Sequence, residues 1–341
     1  MSGIVVTGSS GRLGRSVVAV LRAAGYRVTC VDLEVPDSEH NGYAADLTDP
    51  QECAALMARA KPEAVIHLAA IAVPFSAPED VILRTNVALA HNVFGAAIEA
   101  GARTVITASS PTVFGYGSPN GWLPEALPLT EAMQPRPWNA YSLSKLVAEN
   151  VAAMFAAKHG DALRVASFRP CYVIAPEEWH GALTQQGHTV GQRLASPELA
   201  APALFNYVDA RDAGDFLATL LERAHSIPNA QTFIVGATDA MAREPLADLI
   251  PRFIPELGDL ALSLTGTQPA FSIDKADRLL GWRAGRSWRT ELADSTETVH
   301  GGTVRENSGP TATEKTAPGQ TTTEQAATAE TAQTETAGGT R

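Results

Sequence analysis

Cysteine is scarce in this chain. Its 341 residues include only Cys30, Cys53 and Cys171, which are scattered and form no C-x-x-C pair. A disulfide framework and a thiolate zinc site both need paired or clustered cysteines. The sequence therefore predicts neither, and it predicts no metal site of another kind.

Positive charge and long apolar runs are also lacking. Lysine and arginine number 26 against 37 acidic residues, which gives a net charge of −11. A surface that binds a phosphate backbone needs clustered basic residues, so nucleic acid is not expected as a partner. No apolar stretch reaches the roughly 18 residues of a membrane span, and no charged-then-apolar leader is recognisable. We expect a soluble, cytoplasmic protein with no membrane partner.

Large aliphatic residues are almost absent from residues 301–341, where Val304 is the only one. Thr, Ala, Gly, Glu and Gln dominate this segment. Such a composition cannot bury enough apolar surface to offset the entropy lost on ordering. We therefore predict a disordered tail over residues 299–341, with no catalytic role.

The remainder of the chain alternates short apolar runs with segments of helical pattern. The predicted strands are Ile4–Thr7, Arg27–Asp32, Ala64–His67, Thr104–Ser109, Leu163–Phe168 and Thr232–Val235. The predicted helices lie near Leu13–Ala24, Pro50–Ala60, Glu79–Ala100, Ala140–His159, Asp212–Ala224 and Glu244–Ile254. This alternation indicates an α/β protein with a Rossmann-type, doubly wound parallel sheet and helices on both faces.

Two breaks in this alternation suggest how the chain is organised. Residues 1–170 are expected to form a dinucleotide-binding domain, to which some later segments return, and residues 171–298 a smaller substrate-binding part. The stretch Pro111–Pro137 is rich in proline and glycine and is expected to form a long ordered loop. Loops of that length are uncommon unless they serve a function.

The first predicted strand leads into a loop with Gly8, Gly11 and Gly14 at G-x-x-G-x-x-G spacing. Glycine lets the backbone approach a phosphate closely, and the following helix N-terminus attracts a pyrophosphate. Asp32 ends the second strand, 18 residues beyond Gly14, where an acid would hydrogen-bond an adenosine ribose. A carboxylate there repels the 2′-phosphate of NADP, whereas Arg12 could hold one. NAD is therefore the expected cofactor and NADP the less favoured alternative.

A second group of residues has side chains suited to acid–base catalysis. Tyr141 and Lys145 are four residues apart and share a helical face. A free phenol has a pKa of about 10, and an ammonium held nearby lowers that pKa and makes the phenol a usable general acid or base. Ser110 follows a predicted strand, where its hydroxyl would donate to a substrate carbonyl or alkoxide. Serines at strand ends are also common turn formers.

Taken together, these motifs resemble the extended short-chain dehydrogenase/reductases, the NAD-dependent epimerase/dehydratase family. The resemblance covers about residues 3–290. It runs through Thr7–Gly14, Asp46-Leu47, His67–Ala70, Asn86-Val87, Ser109–Gly115 and Tyr141–Lys145. It continues more weakly through Phe168–Pro170, Tyr207–Asp209 with Asp212, and Phe271–Lys275 before Leu280-Gly281-Trp282.

The resemblance implies roles for these residues. Tyr141 would be the acid/base, Lys145 would tune it and bind the nicotinamide ribose, and Ser110 would polarise the reacting oxygen. The glycines would line the pyrophosphate, Asp46-Leu47 the adenine, and Pro170 the nicotinamide, while Asn86 would support the site. The implied cofactor-binding residues are Gly8, Ser10, Gly11, Arg12, Leu13, Gly14, Asp32, Asp46, Leu47, Leu68, Ala69, Ala70, Asn86, Tyr141, Lys145 and Pro170.

One departure from the resembled family matters. Its sugar-nucleotide 4,6-dehydratases carry Asp-Glu immediately after the active-site hydroxyl, where this chain has Pro111 and Thr112. Dehydration would therefore lack its acid and base. The Ser-x-Thr-Val-aromatic-Gly run is more similar to 4-epimerases, while Ala70-Ile71 and Arg169–Cys171 are similar to uronate dehydrogenases. Epimerase and dehydrogenase or reductase both stay open.

Substrate contacts are harder to predict. Thr112 is a second hydroxyl candidate, and Arg193 and Arg211 are candidates for pairing with a substrate phosphate or carboxylate. His188 is expected at the surface, and Asp212 is expected to cap its helix.

We expect an NAD-dependent oxidoreductase or epimerase acting on a sugar or sugar nucleotide. One alternative is a reductase of a small ketone or lactol in secondary metabolism. Another, of a different class, is a catalytically silent NAD-binding sensor, against which the presence of Ser110, Tyr141 and Lys145 argues. Members of the resembled family pair the helices at Glu79–Ala100 and Tyr141–Lys158 in a four-helix interface, so a homodimer is expected.

Overall fold

The computed structural model describes residues 3–292. The segment predicted as a disordered tail, 299–341, lies outside the described residues. The strands are β1 (Gly3–Thr7), β2 (Arg27–Asp32), β3 (Gly42–Ala44), β4 (Ala64–His67), β5 (Thr104–Ala108), β6 (Arg164–Pro170), β7 (Val173–Ile174), β8 (Val208–Asp209) and β9 (Gln231–Val235). The α-helices are α1 (Arg12–Ala23), α2 (Pro50–Ala60), α3 (Glu79–Glu99), α4 (Ala140–His159), α5 (Pro176–Trp179), α6 (Val190–Ala195), α7 (Ala210–Arg223), α8 (Leu246–Phe253), α9 (Gly258–Ala261) and α10 (Asp274–Leu280).

Seven of these strands form one parallel sheet in the order β3-β2-β1-β4-β5-β6-β9. β1 pairs with β2 on one side and with β4 on the other, so the direction of strand addition reverses there. Ligands in such sheets bind at the carboxyl ends of the strands beside this reversal. The predicted Rossmann-type, doubly wound sheet is confirmed.

Side chains that alternate along β1 build the two faces of the sheet. Ile4 and Val6 pack with Val17 of α1 and Phe216 of α7. Val5 faces the other way, into a cluster with residues of α2 and α3. A strand buried on both faces reads as a continuous apolar run, which is why the sequence pattern located it.

The last strand of the sheet comes from the segment predicted to bind substrate. β9 lies beside β6 as the edge strand, so the chain returns to the sheet after leaving it. Three short strands were not predicted: β3, and the separate parallel pair β7 and β8. Runs of two or three residues carry too little periodicity to be recognised.

The cap of α7 differs from the prediction. Asp209, not Asp212, is the N-cap, because its Oδ1 accepts a 2.7 Å hydrogen bond from the backbone N–H of Arg211. Asp212 instead accepts hydrogen bonds from the backbone and the side chain of Arg286.

The stretch Pro111–Pro137 begins with a 3-10 turn, Pro111–Phe114, and then follows an irregular path. Leu127 and Leu129 are buried in the same core as Phe271. The backbone of Leu129 is hydrogen-bonded to Ala270 and to Ser272. This loop is therefore packed against the C-terminal part of the described chain.

By length and composition, α3 is the single helix within residues 3–292 that could cross a membrane. Its Leu89, Val93, Phe94 and Ala97 are buried in the core beside β1 and α2. A helix that is apolar on most of its surface is typical of a protein core as well as of a bilayer.

Candidate active site

The glycine-rich loop is packed against the end of β4. Gly8 has φ +70°, and a Cβ at this position would lie 2.6 Å from the backbone nitrogen of Ala69. A Cβ at Gly14 would lie 2.1 Å from the carbonyl oxygen of Gly8. Both glycines are therefore required by the fold of the loop itself, before any ligand is considered. The loop leads directly into α1, which begins at Arg12.

Asp32, at the carboxyl end of β2, braces the same loop. Its Oδ2 accepts a 2.9 Å hydrogen bond from the N–H of Ser10, and its Oδ1 a 2.8 Å bond from the N–H of Leu33. The hydroxyl of Ser10 donates to the carbonyl of Glu34. The carboxylate thus lies beside the glycine loop, as its spacing predicted.

Arg12 is committed to other groups. Its Nη2 donates to the carbonyl of Val173 at 2.9 Å and lies 2.5 Å from Oε1 of the buried Glu178. A 2′-phosphate would have to compete with this carboxylate for the guanidinium. Arg12 is therefore a weaker argument for NADP than its position in the sequence suggested.

The segments implied at the adenine and along the dinucleotide are fixed by hydrogen bonds. Asp46 accepts from the N–H and hydroxyl of Thr48, and Asn92 donates to the carbonyl of Leu47. The N–H groups of Leu68 and Ala69 approach Thr7 Oγ1, which lies 2.8 Å from Nδ1 of His67.

His67 is buried at the end of β4. Its burial, with a smaller contribution from the charge of Lys145, lowers its pKa to about 3. The imidazole is therefore neutral near pH 7.

The tyrosine lies in the first turn of α4. Asn139 caps this helix through its side-chain oxygen, which accepts from the N–H and the hydroxyl of Ser142. Tyr141 is buried, and the Ser110 side chain is close enough to lower the pKa of its phenol. Ser110 Oγ also accepts from the N–H of Thr112 at 3.2 Å and from its hydroxyl at 2.9 Å. The structure thus brings Ser110, Thr112 and Tyr141 together.

Lys145 lies one helical turn beyond Tyr141. Its Nζ is 5.8 Å from the centre of the Tyr141 ring and donates to the carbonyl of Ala108, the last residue of β5, at 3.1 Å. Burial lowers the pKa of this amine to about 8. Lys145 is therefore held at the carboxyl end of β5, close to Tyr141.

The expectation that Lys145 acidifies the phenol is not met in this structure. Burial raises the pKa of Tyr141 above its usual value, and the nearby Ser110 side chain opposes this rise only in part. The physical reason is that the amine is directed to the Ala108 carbonyl and is itself desolvated. Desolvation disfavours the charged forms of both groups.

Asn86 connects the neighbouring loop to the catalytic helix. Its Oδ1 accepts from the N–H of Ile71 at 2.8 Å, and its Nδ2 donates to the Ile71 carbonyl and to Ser144 Oγ. This fixes the segment after Ala70 against α4. Pro170 ends β6, two strands along the sheet from β4.

Sequence reasoning missed a buried ion pair behind the site. Glu149 Oε1 accepts from Ser109 Oγ at 2.5 Å, and both oxygens of Glu149 accept from Arg169 at 2.7 and 2.8 Å. Glu149 lies one turn beyond Lys145, so the spacing Tyr-x3-Lys-x3-Glu was the available signal.

Tyr116, in the loop after β5, was also missed. It lies close to Asn206, Tyr141 and Cys171, which all influence the pKa of its phenol. Burial raises the pKa of Tyr116 well above its usual value. No spacing in the sequence relates these residues, because they come together only through the tertiary fold.

The two predicted substrate arginines differ in their surroundings. Arg211 is bound by Asp209 on two nitrogens and by Glu291 at 2.6 Å, so its charge is already compensated by two carboxylates. Arg193 is buried and contacts Gln186 and His188 through one nitrogen. Among residues 3–292, no three His, Cys, Asp or Glu side chains are placed to share a metal ion.

A glycine-braced crevice, a strand-end acid and a Ser/Tyr/Lys set on a doubly wound sheet define a dinucleotide-dependent enzyme. The model of the NAD dependent epimerase/dehydratase family matches residues 4–236. The chain belongs to this family and is an NAD-dependent enzyme of the extended short-chain dehydrogenase/reductase type.

Two characterised relatives show the range of activities. The chain is 31% identical over 170 residues to an NAD-dependent glucose-6-phosphate dehydrogenase of Haloferax volcanii, in an alignment that covers 46% of this chain and 63% of the relative. It is 31% identical over 170 residues to a UDP-glucose 4-epimerase of Azospirillum brasilense, covering 46% of this chain and 45% of that protein. The matched part thus spans less than two thirds of either relative.

The fold has close structural counterparts. A short-chain dehydrogenase/reductase superfamily protein from Agrobacterium tumefaciens, solved with bound NAD, superimposes with a TM-score of 0.65 at 24% identity. The superposition covers 88% of this chain and 97% of that one. At this identity the likeness shows the fold alone.

Proposed function

We propose that this protein oxidises or epimerises a sugar or sugar nucleotide, with Tyr141 exchanging a proton with a substrate hydroxyl. The observation that carries the proposal is the cluster of buried Ser110, Tyr141 and Lys145 at the end of β5, with Lys145 Nζ 5.8 Å from the centre of the Tyr141 ring. The dehydrogenase and epimerase relatives both act, by their names, on sugar derivatives. Their chemistries share the removal of hydride from a carbon that bears a hydroxyl.

The residues present fit NAD. The carboxylate of Asp32 beside the glycine loop suits two free ribose hydroxyls and repels a 2′-phosphate, while Arg12 is held by Glu178. Lys145 has N–H groups beyond the one bound to Ala108 with which to hold the second ribose. When bound, NAD supplies the hydride acceptor and, in its oxidised form, a positive ring charge that favours a phenolate nearby.

The catalytic steps assigned to this chain follow from its hydrogen bonds. Ser110 Oγ accepts two hydrogen bonds from Thr112, so its own proton is free to be donated to Tyr141 or to the substrate oxygen. Tyr141 removes the hydroxyl proton of the substrate as a general base. Burial raises the pKa of Tyr141, and the positive charges of Lys145 and of bound NAD together oppose this rise.

The experiment is to incubate the purified protein with NAD and a panel of sugars and nucleotide sugars, following absorbance at 340 nm and the stereochemistry of the sugar. A net dehydrogenase accumulates NADH in proportion to the sugar consumed. An epimerase interconverts two sugars with no net NADH. Absence of both reactions across the panel, with NAD binding retained, would favour the sensor function instead.

We also propose that the protein is a cytoplasmic homodimer. Leu143 and Met154, 40% and 47% exposed, project from the same face of α4, since eleven residues make about three helical turns. Such apolar side chains suit a symmetric interface with a second copy. Light scattering at micromolar concentration tests this, and a monomeric mass would contradict it.

A further inference from the structure

Arg193 is a buried arginine with half of its guanidinium unpartnered. The residue is 1% exposed. Its Nη1 donates to Gln186 Oε1 at 2.6 Å and lies 2.9 Å from Nε2 of His188. Nε and Nη2 have no hydrogen-bond partner in the part of the chain that the structure describes. These two atoms form the edge through which arginine binds a carboxylate or phosphate by two parallel hydrogen bonds.

The charge of Arg193 is also uncompensated. Arg211 and Arg286 are both paired with carboxylates, whereas Arg193 forms no ion pair with the acidic residues between positions 3 and 292. Burial accordingly lowers the pKa of Arg193. A buried charge without a partner is costly to the fold, so an arginine placed in this way indicates that an anion completes the site.

Tyr172 supplies a second donor at the same place. The central carbon of the guanidinium lies 4.2 Å from the centre of the Tyr172 ring, which holds the flat cation against the aromatic face. The Tyr172 hydroxyl is buried and, like the free edge of Arg193, lacks a partner within the described residues. Two neighbouring side chains thus offer unsatisfied N–H and O–H groups.

Asn206 links this pair to the candidate active site. Its Oδ1 accepts a 2.7 Å hydrogen bond from the backbone N–H of Tyr172. Its side chain is also close enough to Tyr116 to lower the pKa of that phenol, and Tyr141 is close enough to raise it. Asn206 therefore neighbours both the Tyr172 backbone and the Tyr116 side chain, which connects the Arg193 pair to the candidate active site.

A short turn covers the guanidinium. Thr184 bonds the carbonyl of His188 through both its N–H and its hydroxyl, and Gln186 and His188 contact Arg193 Nη1. The turn is therefore held partly by Arg193 itself. The turn contacts the Nη1 side of the guanidinium and not its Nε–Nη2 edge.

We propose that Arg193 and Tyr172 bind an oxyanion carried by the substrate, a carboxylate or a phosphate, at the end of the molecule away from the reacting carbon. This rests on the proposed function in one respect, namely that the cleft accepts a sugar-like molecule.

Thermal unfolding of the full chain, measured with saturating NAD to fill the pyrophosphate loop, tests this without turnover. Wild type, Arg193→Met and Arg59→Met are each titrated with inorganic phosphate against chloride at equal ionic strength, and with glucuronate against glucose. Arg59 is the matched control, because its guanidinium also stacks on a tyrosine, Tyr43, at 3.9 Å. The phosphate and glucuronate arms distinguish the two possible oxyanions.

We expect at least one anion to raise the Tm of wild type and of Arg59→Met by about 2–4 °C at ten times its Kd, and to leave Arg193→Met unchanged. If Arg193→Met does not fold, Tyr172→Phe, which removes only the free hydroxyl, is expected to weaken the same anion several-fold. Equal responses to anions and their controls, or a response that survives in Arg193→Met, would overturn the proposal. Because these experiments measure Tm and not turnover, a failure of the catalytic function proposed above would not alter their results.

Discussion

Glu149 binds Arg169 through two parallel hydrogen bonds, 2.7 Å from Nε to Oε1 and 2.8 Å from Nη2 to Oε2. Both side chains are largely buried, and Ser109 donates to the same carboxylate. The pair joins α4, which carries Tyr141 and Lys145, to β6, and Ser109 adds the end of β5. The relative position of Ser110 and Tyr141 therefore depends on a charge pair that touches neither.

Replacing Glu149 by Ala is expected to destabilise the protein by about 3–5 kcal/mol, because it leaves the Arg169 charge buried without its partner. Urea unfolding measures this change. Asp80→Ala is the control, since it breaks the exposed pair with Arg84 at 2.8 Å and should cost less than about 1 kcal/mol. If both substitutions lower the free energy of unfolding by the same small amount, the Glu149–Arg169 pair does not stabilise the fold.

Alanine is expected to be far less tolerable at Gly14 than at Gly11. A Cβ at Gly14 would lie 2.1 Å from the Gly8 carbonyl oxygen, whereas one at Gly11 would lie 3.3 Å from the same atom. We expect Gly14→Ala to lower the Tm by several degrees without added NAD, and Gly11→Ala to change it little. A similar Tm for both would mean that the loop relaxes around a side chain.

Acid is expected to weaken the fold through His67. The pKa of this imidazole is about 3 in the folded chain against 6.5 ordinarily, so below pH 6.5 the unfolded chain binds a proton that the folded chain does not. The penalty is absent above pH 6.5 and grows as the pH falls towards 3. Between pH 7.5 and pH 5 it amounts to about 2 kcal/mol of unfolding free energy. The variant His67→Asn should lack this component, and an unchanged pH slope in that variant would refute the assignment.

Cofactor preference is expected to depend on Asp32. Asp32→Asn keeps the side-chain size and an acceptor for Ser10 but removes the negative charge that repels a 2′-phosphate. The ratio of kcat/KM for NAD over NADP should fall by about tenfold or more, which corresponds to roughly 1.4 kcal/mol. An unchanged ratio would mean that other residues, for example Arg12, discriminate between NAD and NADP.

Much of the fold was predictable because buried parallel strands are short apolar runs and the helices between them carry their own start signals. Asn139 before the α4 segment and Asp49 before Pro50 cap their helices in the structure through side-chain oxygens. The proximity of Ser110 to Tyr141 also follows from sequence, since one ends a strand and the other begins a helix at the same edge of the sheet.

What sequence could not predict depends on tertiary neighbours. Arg193 and Arg211 are alike as isolated residues, and only the fold gives one of them two carboxylates and leaves the other without any. The direction of the Tyr141 pKa shift was likewise wrong, because spacing reveals the nearby lysine but not the burial that outweighs it. Tyr116 and Asn206 meet across a long stretch of chain with no periodic signal.

The most direct test of the role proposed for Tyr141 compares the turnover of wild type and Tyr141→Phe on the substrate found by the sugar panel. NAD binding by both proteins is measured by calorimetry. Removing the phenolic oxygen while keeping the ring should lower kcat by at least about a hundredfold. The Kd for NAD should stay within a few-fold, because the binding loop at Gly8–Gly14 is untouched. Turnover retained in Tyr141→Phe would contradict the central claim.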